Sequence, residues 1–199
     1  MERDRVHPPA DEPALRALLA GEVTDAAIGL LGCRLVAGGR VVEIVETEAY
    51  HEDEAACHGY RGTTPRAQKL RRPPGSSYVY LSYGIHRLIN VVTGSRSVAS
   101  AVLIRGVVGD DALEPSALPG PGRLANALGI ELVHDGLDLL DAASPVRLLP
   151  AAPEVVEHGL VALAGPRIGI TKAVELPWRY AVCGSPGVSK PRPPGWPPR

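Results

Sequence analysis

The feature that most limits how this chain can fold is its punctuation: short β-prone runs, each closed by a glycine-bearing turn. Cys33–Val36 and Arg40–Glu48 flank Ala37-Gly38-Gly39, a hairpin signal. Tyr78–Leu81 and His86–Val92 flank Ser82-Tyr83-Gly84, and Ala99–Val107 follows across Thr93-Gly94-Ser95. Strands joined by such short turns return alongside one another, so a mainly antiparallel sheet is expected. Helical spacing occurs at Leu15, Leu18 and Leu19 and again at Leu124, Ala127 and Leu128, which Gly129 ends. A further helix is predicted from Thr24, as N-cap, to a stop at Gly32, and further short strands at Arg167–Ile170 and Arg179–Val182. The expected fold is α+β: one domain with a curved, mainly antiparallel sheet flanked by helices.

The 199 residues suit a single domain, with a loose tail over 1–13, a folded body over 14–190 and a frayed, Pro-rich tail over 191–199. A hydrophobic content of 45% supplies a core, and no apolar run approaches the roughly 20 residues that a membrane helix needs. Residues 1–9 lack the apolar stretch of a secretory signal, and Cys33, Cys57 and Cys183 are scattered and odd in number. These features predict a soluble, cytoplasmic protein with reduced thiols. A net charge of −1 gives no bulk attraction to nucleic acid, so any DNA contact must come from a local patch. Arg61, Arg66, Lys69, Arg71 and Arg72 form such a patch within the long loop 51–77, with no acid between them. Alone, a run of this kind reads as a solvated loop.

Chemistry concentrates in two segments. Along an extended Glu46-Thr47-Glu48-Ala49-Tyr50, alternation puts Glu46, Glu48 and Tyr50 on one face, a carboxylate beside a flat ring. An edge strand with solvated acids would look the same. The chain has no Phe and 6 Tyr, yet Tyr78, Tyr80 and Tyr83 lie close together. Tyr78 and Tyr80 share a face and suit a core or a pocket equally; Tyr83, beside a turn glycine, is harder to place in a core.

In order, Glu46-Thr47-Glu48-Ala49-Tyr50, Arg61-Gly62-Thr63-Thr64-Pro65-Arg66, Tyr78-Val79-Tyr80, Tyr83-Gly84 and Asn90 resemble the alkylpurine (3-methyladenine, or methylpurine) DNA glycosylases. So do Leu103-Ile104-Arg105, Gly120-Pro121-Gly122-Arg123-Leu124, Arg167-Ile168-Gly169-Ile170 and Gly184-Ser185-Pro186. The resemblance runs from about Thr24 to about Lys190. It implies a monofunctional, monomeric hydrolase that needs no cofactor or metal and cuts alkylated purines from double-stranded DNA.

The resemblance also implies roles. Glu48 would be the general base, and Arg105 with the main chain of Ile168 would help hold the attacking water. Tyr50, His58 and Tyr80 would line the base pocket, and Asn90 would crowd a guanine 2-amino group. Tyr83 would fill the gap left by a flipped nucleotide. From its charge rather than from the resemblance, which cannot arbitrate because Arg71 departs from the family, the run Arg61, Arg66, Lys69, Arg71 and Arg72 is expected to contact phosphates or flank the pocket mouth. Glu46 is assigned structural support. Ala67-Gln68-Lys69-Leu70-Arg71-Arg72 departs from many relatives, which carry Asn and then a Met-Phe pair, and Ile85-His86-Arg87 is less apolar than usual. A metal hydrolase using Glu46, Glu48, His51, Asp53 and His58 would need a compact ligand spacing that is missing, and Cys33, Cys57, His58 and Cys183 lack a paired-Cys motif. A lesion binder that does not cut would not need Glu48, Tyr50, Tyr83 and Arg105 together.

Overall fold

The structure is a computed structural model that describes residues 5–109 and 116–197. After β1 (Arg5–Val6), the chain forms α1 (Glu12–Ala20) and α2 (Val23–Gly29). Asp11 caps α1 by accepting the Ala14 N–H at 2.8 Å, and Leu15 and Leu19 bury its apolar stripe. Helix α2 starts one residue before the expected cap: Glu22 holds that place, and Val23, 4% exposed, is drawn into the core.

The first hairpin joins β2 (Arg34–Ala37) to β3 (Arg40–His51). Gly38 and Gly39 both have positive φ, +59° and +75°, as a tight two-residue hairpin turn requires. The long loop then holds a short helix, α3 (Pro65–Lys69), capped by the Thr64 hydroxyl. Next come β4 (Ser77–Ser82), β5 (His86–Val92), β6 (Ser100–Gly109), β7 (Ala117–Pro119) and α4 (Pro121–Ala127). The chain continues through β8 (Arg147–Leu149), α5 (Pro153–His158), β9 (Leu160–Gly165) and β10 (Arg179–Val182). All the strands pair antiparallel in one sheet of order β1-β9-β10-β3-β6-β5-β4, with β2 on β3 and β8, and β7 on β6. The α+β architecture is as expected.

Three segments differ from the sequence expectation. Arg167–Ile170 is irregular, and the ladder strand is β9, just before it. Pro166 lacks an N–H for the ladder, and Arg167 instead turns its side chain inward. Arg5–Val6, expected to be loose, pair with Leu160 and Val161. The Pro-rich end packs: the Ser189 N–H donates to Glu46, Arg179 donates to the Pro191 carbonyl, and Trp196 joins an apolar cluster of Val45, Ala181 and Val188.

β3 lies in the middle of the sheet, between β10 and β6, so its acids sit at the heart of the domain rather than on an edge. The main core, which includes Leu15, Leu19, Leu30, Ile44, Ile104 and Leu124, joins the helices to the sheet. A smaller cluster of Cys57, Leu70, Tyr78, Val92, Ala99 and Ala101 backs the aromatic residues described next.

Candidate active site

Two irregularities in the β3–β6 ladder build the site. Ile44 faces Val107 and Glu46 faces Gly106, but Thr47 faces Ile104, so Val45 and then Arg105 are left without a ladder partner. Such bulges re-aim side chains. Arg105 thereby stands beside the two glutamates, 3.4 Å from Glu48 Oε1 through Nη1 and 3.8 Å from Glu46 Oε1 through Nε.

Glu46 and Glu48 are both fully buried, which excludes the solvated-edge reading. Their partners set them apart. Glu46 takes Arg179 Nη1 at 3.0 Å on one oxygen and the Ser189 N–H at 2.9 Å on the other, as a structural carboxylate would. Glu48 accepts the Ile168 N–H at 2.7 Å on Oε1 and the Tyr50 hydroxyl at 2.7 Å on Oε2. A carboxylate offers about four lone-pair positions, so with Arg105 close by Glu48 still has room to accept one more donor. Burial raises the Glu48 pKa above the ordinary carboxylate value, against the opposing pull of Arg105, the Ile168 N–H and Tyr50. The Arg105 Nε, buried, has no hydrogen-bond partner among the described residues.

Tyr50, Ile168 and Arg105, the partners of Glu48, line a cavity of about 1040 Å³ together with His58, Tyr80 and Asn90, all named from the sequence. Tyr78 and Tyr80 stack with centroids 5.1 Å apart, and His58 meets the Tyr80 ring edge-on at 4.8 Å. The His58 Nδ1 lies 3.0 Å from the Tyr78 hydroxyl; burial and then Arg66 lower its pKa below the ordinary imidazole value, which favours the neutral ring. Asn90 donates to the Tyr78 carbonyl at 3.0 Å, which fixes the amide against the cavity wall. Flat aromatic walls and a buried anion suit a planar, electron-poor ring.

At the rim, Tyr83 forms a turn tip with φ +49° followed by Gly84 at +72°. It is 87% exposed although it is large and apolar, and Ile85 beside it is 71% exposed. Arg66, Arg123 and Lys172 also line the cavity, no Asp or Glu does, and none of these three pairs with a carboxylate among the described residues. The basic patch expected from the sequence divides here. Only Arg66 borders the cavity; Arg61 and Arg71 line a separate shallow depression with Glu52 and Asp53. Arg71 binds Glu52 at 2.5 Å, while Lys69 and Arg72 bind Asp135 at 2.8 and 3.0 Å. Tyr78, Arg123 and the stretch 169–172 are site residues that sequence reasoning missed. Tyr78 looked equally like core, and Gly169, Ile170 and Thr171 carry no distinctive side-chain chemistry.

Comparisons with known proteins identify the family. A family model described as methylpurine-DNA glycosylase matches residues 17–186. A protein of Rhodopseudomonas palustris is 45% identical over 187 residues, covering 88% of this chain and 90% of its own. One from Synechococcus elongatus is 45% identical over 179 residues (87% and 89% of the two chains), and one from Methanoculleus marisnigri is 41% identical over 175 (81% and 90%). All three are provisionally named 3-methyladenine DNA glycosylases. With its pattern matched over most of the chain, this protein belongs to the methylpurine-DNA glycosylase family.

Proposed function

We propose that the chain is a soluble, cytoplasmic, monomeric DNA-repair hydrolase that flips alkylated purines, 3-methyladenine among them, out of duplex DNA and cuts the N-glycosylic bond, leaving an abasic site. The observation that carries this reading is the buried Glu48 carboxylate, unsaturated in hydrogen bonds and held by Tyr50, Ile168 and Arg105, three residues that line an aromatic cavity. A flipped purine would lie against Tyr50, Tyr80 and His58, its sugar carbon toward Glu48. Water held between Glu48 and Arg105 gives its proton to Glu48 as its oxygen bonds the sugar carbon. The base leaves with the electron pair of the broken C–N bond, so a cationic lesion departs neutral. Glu48 offsets the positive charge that builds on the sugar. The Ile168 N–H, being committed to Glu48, acts by holding the carboxylate in place.

The pH–rate profile tests this mechanism. Because burial raises the Glu48 pKa, the single-turnover rate should climb with pH through an acid limb above the ordinary glutamate value. A limb at or below that value would take the rate-controlling carboxylate out of this buried site.

Tyr83 is assigned the wedge that fills the vacated stack. Exposed as it is, Tyr83→Ala should leave the melting temperature unchanged. It should weaken capture of duplex lesions by ~1–3 kcal/mol, by analogy with base–aromatic stacking. Lesions in unpaired DNA should suffer less, and equal loss on both substrates would contradict the role.

The phosphate contacts are assigned first to Arg66, Arg123 and Lys172, whose charges are not paired with described carboxylates. Replacing Arg123 and Lys172 together by Ala should flatten the log–log salt dependence of DNA binding by up to about 2. The pair Arg71 and Arg72, neutralised by Glu52 and Asp135, should flatten it less. Binding measured against salt for the two double variants ranks the assignments.

A further inference from the structure

Behind Tyr50, on the side away from the cavity, lies a buried charge pair. The Arg167 guanidinium sits over the Tyr50 ring, 4.6 Å from its centroid, and over Trp178 at 5.5 Å. Its side chain is wholly buried, and Glu54 grips it with two bonds of 2.7 and 2.9 Å. Arg167 also donates to the carbonyls of Ala49 at 2.8 Å and Ala173 at 3.3 Å. Tyr50 lines the cavity while Arg167 and Glu54 do not, so the ring stands between the guanidinium and whatever the cavity holds.

This placement has an electrostatic consequence. A cation behind an aromatic ring draws on the same quadrupole that would attract a cation in front of it. N-alkylated purines of the 3-methyladenine type carry a positive charge in DNA, so a bare Arg167 would oppose them through the ring. Two like charges roughly 8 Å apart at an effective dielectric of about 20 would weaken binding about thirty-fold. Glu54 supplies the opposite charge at hydrogen-bond distance from that cation and cancels most of this field.

We infer that Glu54 is a specificity-determining positioning residue: by neutralising Arg167 behind Tyr50, it lets the pocket accept a positively charged base. The inference rests on the proposed placement of an alkylated purine against Tyr50. Arg167 remains useful because its bonds to Ala49 and Glu54 hold the ring's backing rigid, and the next residue, Ile168, reaches Glu48.

The test compares two duplexes, one carrying a single 7-methylguanine, which is cationic, and one carrying a neutral abasic-site analogue. The readouts are the half-saturating enzyme concentration for single-turnover excision of the first and the Kd for the second. For Glu54→Gln, the first should rise about ten- to thirty-fold while the second changes less than about twofold. The double variant Glu54→Gln/Arg167→Met, which carries neither charge, should return the ratio to near the parent's. Glu54→Asp, which keeps the charge but draws it back, should shift the ratio the same way by a smaller factor. It provides the reading if Glu54→Gln does not melt cooperatively. A ratio unmoved in the folded variants, or equal loss on both duplexes, would overturn the inference and reduce Glu54 to a structural partner. A parent protein that does not excise 7-methylguanine and binds its duplex no better than undamaged DNA would instead fail the functional reading itself.

Discussion

Glu48→Gln should slow the release of 3-methyladenine at least ~10²-fold, the loss typical of removing a general base, while binding to an abasic-site analogue stays near that of the parent. The amide is almost isosteric. It can still accept the Ile168 N–H, and its NH₂ can donate to the Tyr50 hydroxyl, which accepts as readily as it donates. It cannot take a proton from water or offset positive charge on the sugar. Stability should move the other way. The Glu48 pKa is raised in the folded state, so its contribution to stability is greatest below the unfolded pKa and is lost as pH rises through the folded one. The ionised side chain therefore strains the fold, and wherever pH exceeds the folded pKa Glu48→Gln should melt at or above the parent temperature. Single-turnover excision and thermal melting on the same preparation check both halves. Full activity would move the catalytic role elsewhere, with Glu46→Gln the next substitution to make.

Gly106→Ala should be the most damaging small substitution in the neighbourhood. A Cβ at position 106 would overlap the Gly187 carbonyl oxygen and press to 3.1 Å from the Glu46 Cβ. Both obstacles are fixed: Glu46 is gripped by Arg179, and the segment around Gly187 is held by the Ser189 N–H on Glu46. Relief requires the C-terminal segment to lift, leaving a fully buried carboxylate oxygen without its donor. Overpacking and an unsatisfied buried acceptor together should cost about 3 kcal/mol or more. In a domain of this size that lowers Tm by about 6–12 °C, read in a thermal melt. Excision should fall with it, since Arg105 answers to both glutamates. An unchanged Tm would mean that the C-terminal segment is not packed as described.

Local signals explain what was legible in the sequence. Gly38, Gly39 and Gly84 adopt at no steric cost the positive φ that tight turns need, so the turns and their flanking strands could be read directly. Alternation likewise placed Glu46, Glu48 and Tyr50 together. What escaped depends on contacts between distant segments. Burial of the two acids follows from β3 lying mid-sheet, and the stance of Arg105 follows from a ladder irregularity that no local pattern announces. Arg72 and Lys69 looked free because their partner, Asp135, lies far along the chain. The strand expected at Arg167–Ile170 gave way because Arg167 bonds Glu54 and Ala49 rather than facing a ladder.

The most direct test of the central claim is to identify the product. Purified protein is incubated with methylated duplex DNA; released bases are separated and weighed by mass spectrometry, and the strand is run on a gel with and without alkali. The proposed function predicts free 3-methyladenine released in step with alkali-sensitive sites, strands intact until alkali is added, and neither product from Glu48→Gln. Tight lesion binding without base release, or base release that survives loss of the Glu48 carboxylate, would contradict it.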